Sequence, residues 1–280
     1  MAVITGLDTG THTDWSPTKI KREILRFRQA KLVLSSRVDR HDEDVLSEGQ
    51  ALKIPYETEL NTNPVGADRT YTPQADTGAS YTLNITLFRE ASFSIGVDAD
   101  AQSAAVRMLK GSRRTGYALG KYLEDQLWST ADNAAVTQTN NITTAMVDRD
   151  WRRLAQYLED ADAMEEGDIY VAMAPADKND LIAIDKFANV QFTGKPKGAA
   201  TTGEAPNVYG MVPLISTRAG VDSNGRRRIL AFQEEGIGMA TQKKVPLAIE
   251  KHALKTDYVG WVLAGMARQR LTHLAFARVG

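Results

Sequence analysis

The sequence predicts an α+β protein, because the spacing of its apolar residues changes along the chain. Two early segments alternate apolar and polar residues, as strands do. A long central segment places apolar residues three or four positions apart, as helices do, and the last third returns mainly to strands. With 280 residues, 42% hydrophobic and 25% charged, the composition is ordinary for a globular protein, and the length suits about two domains.

The N-terminal region, 1–45, is polar apart from one predicted helix. Ser16 and Pro17 suit an N-cap and a first helical position, and Ile20, Ile24 and Phe27 follow at helical spacing. The rest of this helix is basic: Lys19, Lys21, Arg22, Arg26, Arg28 and Lys31. Such a face can bind acidic partners, membranes or phosphates, or it can simply be solvated while the apolar stripe packs. Both interpretations stay open from the residues alone.

The next region predicts a long antiparallel ribbon of two strands. Leu52, Ile54 and Tyr56 alternate with polar residues in the first strand, and Tyr81, Leu83 and Ile85 do so in the second. The same parity resumes at Phe93 and Ile95, and a polar stretch with Pro and Gly separates the strands. A two-stranded ribbon is marginal alone in water. We therefore expect its apolar face to be covered, either by another part of the same chain or by a neighbouring molecule.

After the ribbon, the spacing predicts one long helix from about Asp98 or Asp100 to Ala131. Apolar residues step by three or four through this stretch, which is far longer than the mean helix of about 11–12 residues. Gly111, Gly116 and Gly120 each cost about 1 kcal/mol relative to alanine. The helix therefore needs support from the rest of the fold and suits a spine laid across a sheet.

The remaining chain predicts short helices among several strands. Helices are expected in the DRDWRRLAQYLEDAD and ADKNDLIAID stretches, and strands in IYVAMAP, VYGMVPLIST and RRRILAFQ. A hairpin tip is expected at 222–225, followed by three C-terminal strands. The loop 187–207 is longer than a usual connection and is therefore expected to be functional or mobile. No fixed repeat or low-complexity linker occurs, so we expect two interleaved domains.

Several classes of chemistry lack their motifs in this sequence. There is no cysteine, so disulfides, thiolate catalysis, zinc fingers and iron–sulfur clusters are excluded. The four histidines, His12, His41, His252 and His273, are scattered, and phosphate-loop and nucleophile-elbow spacings are missing. The acidic run 159–168 lacks the pattern of a calcium loop. We expect no enzyme activity, no metal and no cofactor.

Charge and hydropathy narrow the partners further. Thirty-four basic against 35 acidic residues give a net charge of −1, unlike a dedicated nucleic-acid binder, and many copies can pack together without strong repulsion. No uncharged run approaches the ~20 apolar residues of a membrane span, and no secretory signal is recognisable. The run Arg226–Arg228 could contact phosphate or pair with acidic groups on neighbouring strands.

The order of these features resembles the major capsid proteins of tailed bacteriophages, the Hong-Kong-ninety-seven type of shell subunit. The likeness rests on GQALKIPYETEL, on YTLNITLFREASFSIGVDADAQ running into the long helix, on GKYLEDQLW near its end, and on GDIYVAMAPADKNDLI and NVYGMVPLISTR. It implies an N-terminal arm (1–45), an extended loop or E-loop (46–90), a peripheral domain with the spine helix (91–149), an axial domain (150–255) and C-terminal strands returning to the sheets (256–280).

The resemblance implies a protein that assembles with itself, as hexamers and pentamers, into an icosahedral head enclosing double-stranded DNA. The ribbon would lie across an adjacent subunit, which would cover the apolar face that its own chain leaves bare. These subunit contacts would use the E-loop residues Leu52, Ile54, Tyr56, Tyr81, Leu83 and Ile85. The basic residues of the arm (Lys19, Lys21, Arg22, Arg26, Arg28 and Lys31) would face the interior, toward scaffold or non-specifically bound DNA. The long loop 187–207 would make variable contacts at the capsomer centre. Replacing Leu83 and Ile85 with Asp is expected to leave a soluble monomer that does not assemble.

Further partners follow from the same resemblance. They are a portal and, because the sequence starts at Met1 without a long preceding segment, a separate scaffolding protein; a decoration protein is left open, and no membrane is expected. The location would be the virion, with assembly in the host cytoplasm. Two alternatives remain: an encapsulin-like nanocompartment shell that encloses an enzyme cargo, and a soluble α+β enzyme whose site has no recognisable motif.

Overall fold

A computed structural model describes residues 32–42, 51–56, 62–63, 79–132, 138–164, 167–188 and 203–280. The strands are β1 (Asp39–Arg40), β2 (Ala51–Tyr56), β3 (Ala79–Gly96), β4 (Gln138–Ile142), β5 (Ile169–Met173), β6 (Val212–Ile215), β7 (Arg227–Gln233), β8 (Ile237–Lys251), β9 (Lys255–Arg268) and β10 (Leu274–Val279). The helices are α1 (Val97–Ala131), α2 (Asp148–Glu159), α3 (Pro175–Ile182) and α4 (Asp185–Ala188). This mixture of helices and sheets confirms the α+β class.

The first sheet contains the predicted ribbon. Its strand order is β1-β8-β9-β3-β2, and β2 pairs antiparallel with β3, with Leu52 opposite Leu83 and Ile54 opposite Tyr81. The pairing predicted from alternation is therefore confirmed for the part of the ribbon that the structure describes. The polar stretch between the strands lies outside the described residues, apart from 62–63.

A β-bulge in β3 changes which of its residues share a face of the sheet. The register with β9 shifts between Ile85 and Leu87, so one extra residue of β3 is inserted and the side-chain alternation reverses. Ile85 and Phe93 are both odd-numbered positions of the alternating pattern, but they therefore lie on opposite faces of β3. Ile85 packs in a cluster with Leu263 and Ala267, whereas the Phe93 ring lies on the other face, against Gly111 of α1.

The predicted long helix is confirmed as α1, with 35 residues and a length of about 52 Å at 1.5 Å per residue. It packs along β3 and β9 of the first sheet. A Cβ atom at Gly111 would lie 2.2 Å from the Phe93 ring, so the absence of a side chain allows the helix to approach the sheet. At Gly116 nothing lies within 4 Å, so that glycine has no such packing role.

The second sheet has the order β4-β10-β7-β5-β6 and carries a hydrophobic core on each face. One core joins the sheet to α2 and α3 through buried residues that include Trp151, Leu158 and Leu181. The other joins it to the end of α1 through Leu127, Trp128 and neighbouring residues. The helices predicted at 148–162 and 176–185 are observed as α2 and α3, which end at Glu159 and Ile182. The predicted strands of this region are confirmed.

The chain passes from the first sheet to the second and back again. The strands β4 to β7 lie in the second sheet, β8 and β9 in the first, and β10 in the second. The end of the axial domain was predicted at residue 255. A boundary there separates β8 from β9, its antiparallel partner. If the two sheets are taken as the two units, β8 groups with β3 and α1 rather than with 150–236.

Candidate assembly surfaces

The six ribbon residues predicted to form a subunit interface share the face of the ribbon on which the cluster with Ala240 forms. Leu52 and Ile54 are half-buried partners in that cluster, and Tyr56 and Tyr81 stack with ring centroids 4.3 Å apart. Burial raises the pKa of the Tyr81 hydroxyl, and the neighbouring Tyr56 raises it further. These four side chains are half-buried in the subunit, so part of each remains available for contact.

For Leu83 and Ile85 the expectation of a bare apolar face was wrong. Leu83 is fully buried and Ile85 is 6% exposed within the single chain. The reason is the neighbouring β9 strand: Gly265 has no side chain, and a Cβ there would lie 2.7 Å from Leu83 Cδ2. Leu83 therefore packs over the backbone of its own sheet, and the proposed Asp substitutions would disrupt the subunit itself.

An exposed aromatic pair lies farther along the same sheet. Phe88 on β3 is 61% exposed, and its ring meets the half-buried Trp261 of β9 edge to face, with centroids 5.5 Å apart. The alternation pattern placed Phe88 among the polar positions, so sequence reasoning missed this pair. A phenylalanine at a position that should be polar was the signal that could have revealed it.

The segment 32–42 is fixed to the folded body at two places. The Glu124 carboxylate of α1, fully buried, accepts backbone hydrogen bonds from Val33 and Leu34 at 2.9 and 3.0 Å and from Ser35 at 3.2 Å. A few residues later, β1 pairs parallel with β8. Residues 33–35 are therefore fixed to α1, and residues 39–40 to the first sheet.

All three arginines of the run 226–228 pair with aspartates. Arg226 contacts Asp222, Arg227 lies between Asp177 and Asp180 at 2.9 and 3.0 Å, and Arg228 reaches Asp132 at 3.3 Å. Burial raises the pKa of the Asp177 carboxyl, although Arg227 opposes the effect. Of the two interpretations of this run, pairing with acidic neighbours is the one that the structure supports.

Ion pairs also hold the end of α1 against the second sheet. One guanidinium nitrogen of Arg218 donates to both carboxylate oxygens of Asp125, at 2.5 and 2.6 Å. Arg278 of β10 donates to Asp132 at 2.6 Å. Together with the packing of Trp128, these contacts fix the C-terminal part of α1 to the second sheet.

Other predicted site residues lie outside the described part of the chain. These are the basic residues Lys19, Lys21, Arg22, Arg26, Arg28 and Lys31, together with most of the loop 187–207. Within the described ranges, no group of three or more His, Asp or Glu side chains could hold a metal ion. No helix among these residues is long and apolar enough to cross a membrane.

Solved phage structures resemble the whole described architecture. A capsid structure of the Cyanophage P-SCSP1u is 17% identical, with a TM-score of 0.74, and the match covers 96% of this chain and 94% of that one. A structure from Mycobacterium phage Che8 is 16% identical, also at 0.74, covering 92% and 95%. The asymmetric unit of the mature capsid of bacteriophage PhiM1 is 11% identical at 0.69, covering 93% and 90%.

No protein-family model and no curated protein matches the sequence, so the relationship is visible in structure alone. At these identities the comparison shows the fold. The chain has the fold of phage capsid proteins, which confirms the resemblance predicted from its sequence. The match extends over nearly the full length of both chains in each comparison, so it includes both sheets and α1.

Proposed function

We propose that this chain is the major capsid protein of a tailed phage, and that copies of it assemble into the icosahedral head that encloses double-stranded DNA. The observation that carries the proposal is the structural likeness to the P-SCSP1u capsid over 96% of this chain. A capsid subunit acts through surfaces rather than a catalytic centre. The structures named above come from phages, which favours this function over an encapsulin-like compartment and over an enzyme.

In this proposal the parts of the chain take the roles that the resemblance to phage capsid proteins implies. Residues 1–45 form an arm, 46–90 an E-loop, and α1 the spine helix of a peripheral unit that begins at 91. Residues 150–236 and β10 form most of the axial unit, and β8 belongs with the peripheral unit because it pairs within the first sheet. The loop 187–207 makes variable contacts near the capsomer centre.

The subunit contacts involve a narrower set of ribbon residues than the six first predicted. Leu52, Ile54, Tyr56 and Tyr81 keep part of their apolar surface free, whereas Leu83 and Ile85 hold the ribbon to its own subunit. Phe88 adds an exposed ring. Burying apolar area contributes about 25 cal/mol per Å², so many small contacts of this kind, repeated by symmetry, can stabilise a shell.

The interior of the shell and its other partners follow from the same proposal. The basic residues between Lys19 and Lys31 face inward, where they meet a separate scaffolding protein during assembly and DNA afterwards. A net charge of −1 does not oppose this role, since a motor drives the DNA inside. A portal completes the head, a decoration protein can bind outside it, and assembly takes place in the host cytoplasm.

The test is assembly of the purified protein, with and without a co-expressed candidate scaffold, followed by electron microscopy. We expect closed particles, and we expect Phe88→Asp to reduce their yield while the soluble subunit keeps its circular dichroism spectrum. Thr82→Asp is the matched control, because Thr82 is an exposed polar residue on the same strand. Small particles only, under every condition, would contradict the proposal.

A further inference from the structure

The outer face of α2 separates its charges into a basic part and an acidic part. Arg149, Arg152 and Arg153 are exposed near its start, and Glu159 and Asp160 are exposed at its end. The opposite face, with Trp151, Leu154 and Leu158, is buried in the core of the second sheet. At 1.5 Å per residue, about 10 Å of helix separates the two charged groups.

The first turn of α2 carries Asp148 and Asp150, which suit the helix dipole, but the order of the exposed charges is unfavourable within the helix. Arg149 lies three and four residues from Arg152 and Arg153, so like charges are neighbours on the helix surface, where opposite charges would stabilise it. The acidic group lies at the C-terminal end, which has no basic residue in its last turn, although a helix dipole favours cations there. A face that only met solvent would gain from the reverse order.

The neighbouring residues do not neutralise this pattern. Arg152 lies 3.2 Å from Asp148, but the same carboxylate is shared with Lys186 and Tyr209. Arg153 stands over the Tyr157 ring at 5.6 Å from its centroid, a contact that keeps its charge. Within the described residues, the side chains of Arg149, Glu159 and Asp160 make no ion pair.

We infer that the outer face of α2 is a contact surface between copies of this chain, in which the arginine group of one copy pairs with the acidic group of the next. The surface is complementary to itself, because each copy offers both signs on the same helix. The inference rests on the proposed function, in which copies related by rotation surround a common axis. In such a ring every copy gives its basic group to one neighbour and its acidic group to the other.

Reciprocal charge reversal tests this pairing. One variant carries Arg149→Glu and Arg153→Glu, which leaves the Arg152–Asp148 pair intact, and the other carries Glu159→Arg and Asp160→Arg. Each variant alone brings like charges together between copies, so we expect shell yield to fall about tenfold or more at low salt. All four changes in one chain reverse both groups and keep them complementary in every ring, so this variant should assemble again.

The controls separate this inference from the proposed function. The changed side chains are exposed, so circular dichroism and the melting temperature of the soluble subunit should match the wild type. Shells from each variant at wild-type yield would overturn the inference alone, as would a folded protein with all four changes that does not assemble. Wild-type protein that never forms shells would overturn the proposed function and this inference with it.

Discussion

Removing the Glu124 carboxylate should release the segment 32–42 from the body of the protein. The carboxylate is fully buried and accepts three backbone N–H bonds, from Val33, Leu34 and Ser35. Hydrogen bonds to a charged group contribute about 1.5–3 kcal/mol each, and the contributions are not additive. In Glu124→Ala the three donors lose their partner together, two of them in buried residues.

The magnitude is limited by the ability of the segment to detach. Once detached, its amides regain water, so the loss cannot exceed the free energy that docks the segment. We expect local protection to fall by about 3 kcal/mol, which is less than the sum of the three bonds because their contributions are not additive; this corresponds to roughly a hundredfold faster amide exchange. Glu124→Gln should have a smaller effect, because its one carbonyl oxygen can still accept from Val33 and Leu34.

Hydrogen exchange with mass spectrometry measures this directly. Peptides covering 33–41 should exchange faster in Glu124→Ala, while peptides from β5 and β7 in the second sheet stay as protected as in the wild type. Gln126→Ala, two residues away on α1, is the matched control. Unchanged exchange at 33–35 in the alanine variant would refute the argument that this carboxylate anchors the segment.

Three further predictions concern stability. Leu83→Ala should lower the free energy of unfolding of the subunit by about 2–5 kcal/mol, since it empties a buried site; denaturation of the soluble subunit with an unchanged midpoint would show that Leu83 is not core. Gly265→Ala should destabilise because its Cβ would lie 2.5 Å from the Asn84 carbonyl oxygen, whereas the open Gly116→Ala in α1 should stabilise by about 1 kcal/mol; equal melting temperatures for both would contradict this. Burial raises the pKa of Asp177, so its contribution to stability is complete below the ordinary carboxyl pKa and is lost as pH rises through the raised value. Asp177→Asn should therefore gain stability relative to wild type as the pH rises above the ordinary carboxyl pKa of about 4, and a difference in unfolding free energy that stays constant with pH in urea titrations would contradict the assignment.

The periodicity of the sequence was enough to predict most of the elements. The alternation from Leu52 to Tyr56 and from Tyr81 to Ile85 gave the ribbon, and the helical spacing before Ala131 gave α1. These signals are local, because the faces of a strand or helix are set by its own residues.

What covers those faces could not be predicted, because it depends on distant residues. Leu83 is buried owing to Gly265 and Ala240, far along the chain, and no local pattern shows that β9 passes beside it. The bulge after Ile85 was also invisible to the parity rule, which therefore placed Ile85 and Phe93 together. The anchoring role of Glu124 required the fold, since its partners are about 90 positions earlier.

A cryo-electron microscopy reconstruction of the full-length wild-type protein after assembly would show the subunit contacts themselves. We expect a closed shell with icosahedral symmetry in which the free surface of Ile54, Tyr56 and Phe88 lies against an adjacent copy. A reconstruction in which these side chains touch only their own chain or solvent, or a protein that stays monomeric throughout, would contradict this expectation.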